Sequence, residues 1–253
     1  MRILTIAMNT YREAIRDKVL YVLLFFAGAT ILGSKALGYI SVGQDLKIIA
    51  DISLAAISVF GALIAIFVGT SLVYKEIDKR TIYTILSRPI WRSEFILGKY
   101  LGLSLLIATV TSVMGIVAAA YIAISGGSVD LMFAEALLLV FFKLLLLTAL
   151  SVLLSTVVSP ILGAIIVLTC YFIGHATGIM LNLPPHFDDT FAAQVISVAY
   201  YVIPNLSNFD IWREYANGVA VPHSYVAWTV VYGSVYTGVL LFLATLAFSQ
   251  KDV

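Results

Sequence analysis

A chain of 253 residues that is 61% hydrophobic and only 11% charged, with a mean hydropathy of +1.03, carries more apolar surface than an interior of that size can hide from water. Its formal charge of +1 argues against a nucleic-acid role and moves attention to where the basic residues sit. The composition predicts an integral membrane protein, and continuous apolar runs without barrel-type alternation predict α-helices as the spanning elements.

In chain order, residues 1–18 come first. Leu4, Met8, Tyr11 and Ile15 recur at helical spacing with Ala7 and Ala14 beside them, and Arg2, Asn9, Arg12, Glu13 and Arg16 fall opposite. This pattern predicts an interfacial amphipathic helix. An ordinary basic flank that fixes topology is a compatible reading. The stretch is too charged for a secretory signal, and the apolar run after it has no convincing small-residue cleavage site, so that run is expected to remain as the first span.

Apolar runs of about 18 residues or more then predict six spanning helices, 19–37, 50–73, 100–125, 131–157, 160–181 and 224–248, in a single all-α membrane domain. With the N-terminus inside, Arg2, Arg12, Arg16, Lys18, Lys75, Lys79, Arg80, Arg88, Arg92, Lys99 and Lys251 are cytoplasmic, against Lys35, Lys47 and Arg213 outside. That imbalance predicts a multi-pass protein of the cytoplasmic (inner) membrane with both termini cytoplasmic. The one cysteine, Cys170, excludes an intramolecular disulfide and a thiol metal cluster.

Between the second and third spans, residues 74–99 collect charge on the cytoplasmic side. Ile82, Tyr83, Ile85 and Leu86 are threaded among the charges before Pro89, and Trp91, Phe95 and Ile96 follow it. Thr81 to Ser87 can form a short helix that Pro89 ends, a segment suited to docking a cytoplasmic partner. The alternative is an inert charged connector. Residues 182–223 form the long outer loop. Asp188, Asp189 and Thr190 offer caps for a helix from Phe191 to Ile203, which Pro204 and Asn205 end. Thirteen residues rise about 20 Å, short of the roughly 30 Å hydrocarbon core, so this helix is expected to be re-entrant or interfacial. A second short helix in "NFDIWREYANG", capped by Asn208 and stopped by Gly218, would place Phe209, Trp212 and Tyr215 at headgroup level.

Lys143 falls near the middle of the fourth span, where an ammonium costs at least about 2.5 kcal/mol and must face protein or water. Glu135, eight residues earlier, is roughly 12 Å away along the axis, too far for a direct pair. Lys143 is a candidate either for the translocation path or for a structural bond to another helix. Gly163, Cys170, Gly174 and Gly178 share one side of the fifth span and include a GxxxG, which allows close helix approach. They are candidates for a dimer interface, with packing inside the subunit as the alternative. His175 beside them is expected to hydrogen-bond across helices, and no acid or second histidine at ligand spacing supports a metal. Tyr225, Trp228, Tyr232 and Tyr236 make an aromatic stripe on the sixth span that either lines a path or packs.

The residues "YKEIDKRTIYTILSRPIWRSEFILGKYLG", read with "NTYREAIRDKVLYVL", "LLSTVVSPILGAII", "YFIGH" and "PNLSNFD", resemble the permease subunits of type 2 ABC exporters, the group that includes the permease of the nitrous oxide reductase maturation system. Glu76, Thr81, "ILSRPIWRSEFILGK" and Gly102 match its central pattern, and Arg80 stands where a glycine is frequent. The resemblance implies a permease dimer of two copies or close paralogues. It also implies a cytoplasmic coupling helix in a cleft on a separate ABC ATPase, present in two copies, with Glu76, Thr81, Tyr83, Leu86, Arg88, Pro89 and Arg92 as the coupling residues. ATP and Mg would then belong to that partner. The chain itself has no GxxxxGK[ST] loop, and no catalytic residue, metal or cofactor is expected on it. Membrane lipid is a further expected partner. Two other functions fit the same helices: a mechanical transmitter acting on an extracytoplasmic protein, and an ion-coupled secondary transporter using Lys143 and Glu135, which would predict inverted repeats. No repeat is visible.

Overall fold

The computed structural model describes residues 2–38, 45–78, 91–180 and 203–250. In chain order the helices are α1 (Arg2–Ile15), α2 (Lys18–Gly38), α3 (Asp45–Asp78), α4 (Arg92–Ile124), α5 (Leu131–Val157) and α6 (Pro160–Met180). A 3-10 turn (Ser207–Phe209), the short α7 (Trp212–Asn217) and α8 (His223–Ser249) complete them. No strand occurs among the described residues. Among the described residues five helices, α2, α3, α4, α5 and α8, are long and apolar enough to cross a membrane. α6, in the expected fifth span, is 21 residues long, and its stretch Pro160–Ala176 is apolar.

Hydropathy locates membrane-compatible segments, and it understates two of the helices. α3 continues five residues past its apolar run, to Asp78, and α4 begins eight residues before its own, at Arg92. With 34 and 33 residues these helices rise about 50 Å each, well beyond a hydrocarbon core of about 30 Å. Glu94 closes the start of α4 by accepting a hydrogen bond from the Trp91 N–H at 3.2 Å, and its carboxylate suits the positive end of the helix.

The two extensions lie at the same end of the bundle. α1 packs along the first turns of α4, with Ala7, Thr10 and Ala14 fully buried and Leu4 67% exposed. The Tyr11 hydroxyl meets Thr109 Oγ1 at 3.1 Å. This contact depends on two glycines of α4. A Cβ on Gly98 would come 2.8 Å from Ile6 Cβ, and one on Gly102 would come 2.4 Å from the Ala7 carbonyl oxygen and 2.6 Å from Thr10 Cβ. The GKYLG spacing thus serves an approach within one chain. Gly102→Leu should lift α1 off α4 at a cost of about 1–3 kcal/mol, the usual range for overpacking. Maleimide labelling of Thr10→Cys, buried in the parent, checks this and should rise in the Gly102→Leu background.

The C-terminus of α8 reaches the same end. The Arg92 guanidinium donates to the carbonyls of Phe248 and Ser249 at 3.1 and 2.7 Å, and Phe95 stacks on Phe248 with ring centroids 5.5 Å apart. At the far end, the Tyr121 hydroxyl donates to the Leu32 carbonyl at 2.8 Å, and His223 Nδ1 lies 2.6 Å from Glu135 Oε1. α3, α4 and α5 form the buried centre, while α2 and α8 flank it and present Phe25, Phe26, Trp228 and Phe242 outward.

Candidate functional site

The site begins with one buried lysine. Lys143 is 0% exposed in the middle of α5, so its ammonium has exchanged water for protein partners. Ser58 of α3 accepts a hydrogen bond from Nζ at 2.5 Å. Asp210 Oδ1 forms an ion pair with the same nitrogen, and the Trp212 ring lies over it at 4.8 Å from the centroid. His175 of α6 completes the cluster. Its Nε2 is 2.9 Å from Asp210 Oδ2 and its Nδ1 is 2.7 Å from the Tyr171 carbonyl oxygen, so each imidazole nitrogen faces an oxygen that can only accept. The Tyr171 ring packs on the imidazole at 4.3 Å between centroids. Lys143 Nζ and His175 Nε2 are themselves 3.4 Å apart, both directed at one carboxylate.

Asp210 is delivered by the segment 203–218, which is wedged into the bundle. Leu206, Phe209 and Ile211 are buried in the core. Leu206 sits on Gly174 of α6, where a Cβ would come 2.8 Å from its Cγ, and its N–H donates to the Gly174 carbonyl at 3.0 Å. Phe209 sits on Gly233 of α8, where a Cβ would meet the ring at 3.0 Å. The Tyr225 hydroxyl donates to the Asn208 carbonyl at 2.9 Å, and the Asn205 N–H donates to the Tyr232 hydroxyl at 3.0 Å. Tyr215 packs on Phe133 and donates to the Ser128 carbonyl at 3.2 Å. Burial, aided by the Asp130 carboxylate, pushes the Tyr215 phenol above its usual value, so it stays a donor.

The structure redistributes several residues. The single helix expected across 208–218 is broken, because Asp210 leaves helical geometry (φ −102, ψ 73) to reach Lys143. Asn208 is consequently no cap. Gly218, at φ +68, does follow the last turn of α7, with its N–H directed at the Glu214 and Tyr215 carbonyls. Phe209, expected at headgroup level, is wholly enclosed. The aromatic stripe is divided. Tyr225 and Tyr232 hold the backbone of the wedge, Tyr236 packs on Tyr232 with centroids 5.9 Å apart, and Trp228 is 74% exposed.

Of the candidate dimer residues, Gly163 faces Thr70, Val158 and Leu154, and Gly174 faces the wedge, all within the chain. Cys170 is half-buried, and the surroundings of Gly178 lie outside the described residues. Gly174→Leu is therefore expected to displace Leu206 rather than to separate one copy of the chain from another. Labelling of Leu206→Cys checks this and should rise in the leucine variant with self-association unchanged.

Arg92, one of the coupling residues the resemblance implies, directs its guanidinium to the end of α8, where the last helix carbonyls attract a cation. Thr81, Tyr83, Leu86, Arg88 and Pro89 lie outside the described residues, as does the helix expected at 191–203, and the side chain of Glu76 is likewise undescribed. Two members of the cluster, Asp210 and Ser58, are not marked by sequence reasoning. A lone acid between Phe209 and Ile211 is the available signal for the first. Among the described residues no three histidine, cysteine or acidic side chains are placed to hold a metal ion.

Residues 4–253 match the family model described as ABC-2 family transporter protein. The chain belongs to that family. It is a multi-pass membrane permease, the membrane component of an ABC transporter. No curated protein matches the chain. For this ABC-2 permease the Lys143 cluster is the one place in the described bundle where a lysine, an aspartate and a histidine converge at spanning depth.

Proposed function

We propose that this permease is the transmembrane subunit of an ATP-driven exporter, with a separate ABC ATPase docked on residues 79–90 and a second permease copy or paralogue completing the complex. The observation that carries the reading is the continuation of α3 and α4 as helix beyond their apolar runs at one end of the bundle. Two helical extensions end there, and the chain between them holds Thr81, Tyr83, Leu86, Arg88 and Pro89. A push on that connection would pass directly into α3, which carries Ser58, and into α4, which carries α1. The basic residues gathered at this end support a cytoplasmic setting for it and for both termini, and α6 acts as a sixth span. ATP and Mg bind on the partner. Within the family, the motifs around "ILSRPIWRSEFILGK" and "PNLSNFD" favour the nitrous oxide reductase maturation group.

A second reading, mechanical transmission to an extracytoplasmic protein, is favoured by the wedge, because a segment tied to three long helices would move with them. Purification of the permease with its native partners separates the two. A nucleotide-binding ATPase alone supports export, a stable extracytoplasmic protein in the same complex supports transmission, and absence of an ATPase contradicts both.

A further inference from the structure

Resting on the transport reading, and naming a chemistry for what is carried, we propose that Lys143, whose ammonium Ser58 holds by accepting from it, and His175 form an anion-binding site which the chain's own Asp210 fills. A carboxylate or phosphate group, from a solute or a lipid headgroup, takes the place of Asp210 when the 203–218 segment withdraws. The site residues and the carboxylate differ in how they are held. Ser58, Lys143 and His175 project from three long helices, α3, α5 and α6. Asp210 sits on an irregular residue between a three-residue turn and a six-residue helix. Its two oxygens are divided between the ammonium and the imidazole, a pairing that any carboxylate or phosphate can copy.

Coverage follows the same division. Lys143 is 0% exposed, whereas the Asp210 and His175 side chains are 11% and 25% exposed, so the way in runs past the carboxylate and the imidazole. Trp212, which covers the ammonium, belongs to the same segment and would leave with Asp210. Once the carboxylate departs, a buried cation without a counter-ion is costly. Withdrawal of the segment and arrival of an anion are therefore coupled events, and each favours the other.

The test uses the full chain in lipid nanodiscs and requires no ATPase, so it fails or succeeds separately from the exporter reading. Asp210→Ala leaves the donors and removes the resident carboxylate. Acetate at ten times its apparent dissociation constant should raise the thermal midpoint of this variant by about 3–6 °C. Acetamide, which is neutral and similar in shape, should not, and Asp210→Ala combined with Lys143→Met should respond to neither. Inorganic phosphate in place of acetate reports the preferred anion. Nanodiscs of phosphatidylglycerol against phosphatidylcholine, without added anion, report whether a headgroup can supply it.

A second measurement keeps the native aspartate, in case the alanine variant does not fold. In a Cys170→Ser background, Leu206→Cys should be labelled by an impermeant maleimide several-fold faster in acetate or phosphate than in chloride at equal ionic strength, because the anion competes with Asp210. Equal responses to acetate and acetamide, a response that survives loss of Lys143, or labelling that ignores the anion would each overturn the site.

Discussion

Asp210→Ala should destabilise the permease by about 3–5 kcal/mol, the range for stripping one partner from a buried ion pair, and should do so more severely than Lys143→Met. The asymmetry follows from burial. Loss of Asp210 strands an ammonium that is 0% exposed, whereas loss of Lys143 leaves a carboxylate that is 11% exposed and still has His175 at 2.9 Å. Lys143→Met also keeps most of the volume of the side chain. Replacing both charges, as in Lys143→Met with Asp210→Leu, should be milder than Asp210→Ala alone, since apolar substitutes for a buried pair are frequently neutral. Thermal midpoints of the parent, Lys143→Met, Asp210→Leu and the Lys143→Met, Asp210→Leu double variant form a double-mutant cycle whose coupling energy isolates the pair. An Asp210→Ala midpoint equal to the parent's would show that the pair bears no weight.

The second large effect concerns the docking stretch. Tyr83→Ala with Leu86→Ala should release the ATPase while leaving insertion and bundle stability unchanged, because neither residue belongs to a spanning run. Truncating a central aromatic or aliphatic anchor costs on the order of 1–4 kcal/mol of binding. Removing a rim charge such as Arg88 should mainly alter salt sensitivity and association rate. ATPase copurified per permease is the readout, and an unchanged ratio in the double variant would remove Tyr83 and Leu86 from the contact.

The helical bundle is legible in the sequence because a long apolar run dictates its own secondary structure in a membrane. The ends of α3 and α4 are not, since Tyr74 to Asp78 and Arg92 to Lys99 are rich in charge but continue as helix. Hydropathy senses the bilayer, whereas helix propensity does not stop where the bilayer does. Lys143 can be flagged from depth alone, yet its partner cannot be found that way. Asp210 is 67 positions away in the chain, and the ±4 and ±8 neighbours that sequence can inspect do not report it. Gly174 shows the same limit. A GxxxG face announces close approach without saying to what, and here the neighbour is Leu206 of the same chain. The sequence neighbourhood of Arg92 points to a docking role, while the fold brings the last carbonyls of α8 within its reach.

The central claim is that residues 79–90 contact a separate ATPase, and photocrosslinking tests it most directly. With benzoylphenylalanine in place of Tyr83, irradiation of native membranes should yield one adduct of the permease with a nucleotide-binding subunit, identified by mass. The same probe in place of Trp228, on the exposed face of α8, should yield none. Adducts from position 83 that contain only lipid or a second permease, in membranes where the ATPase is present, would contradict the account.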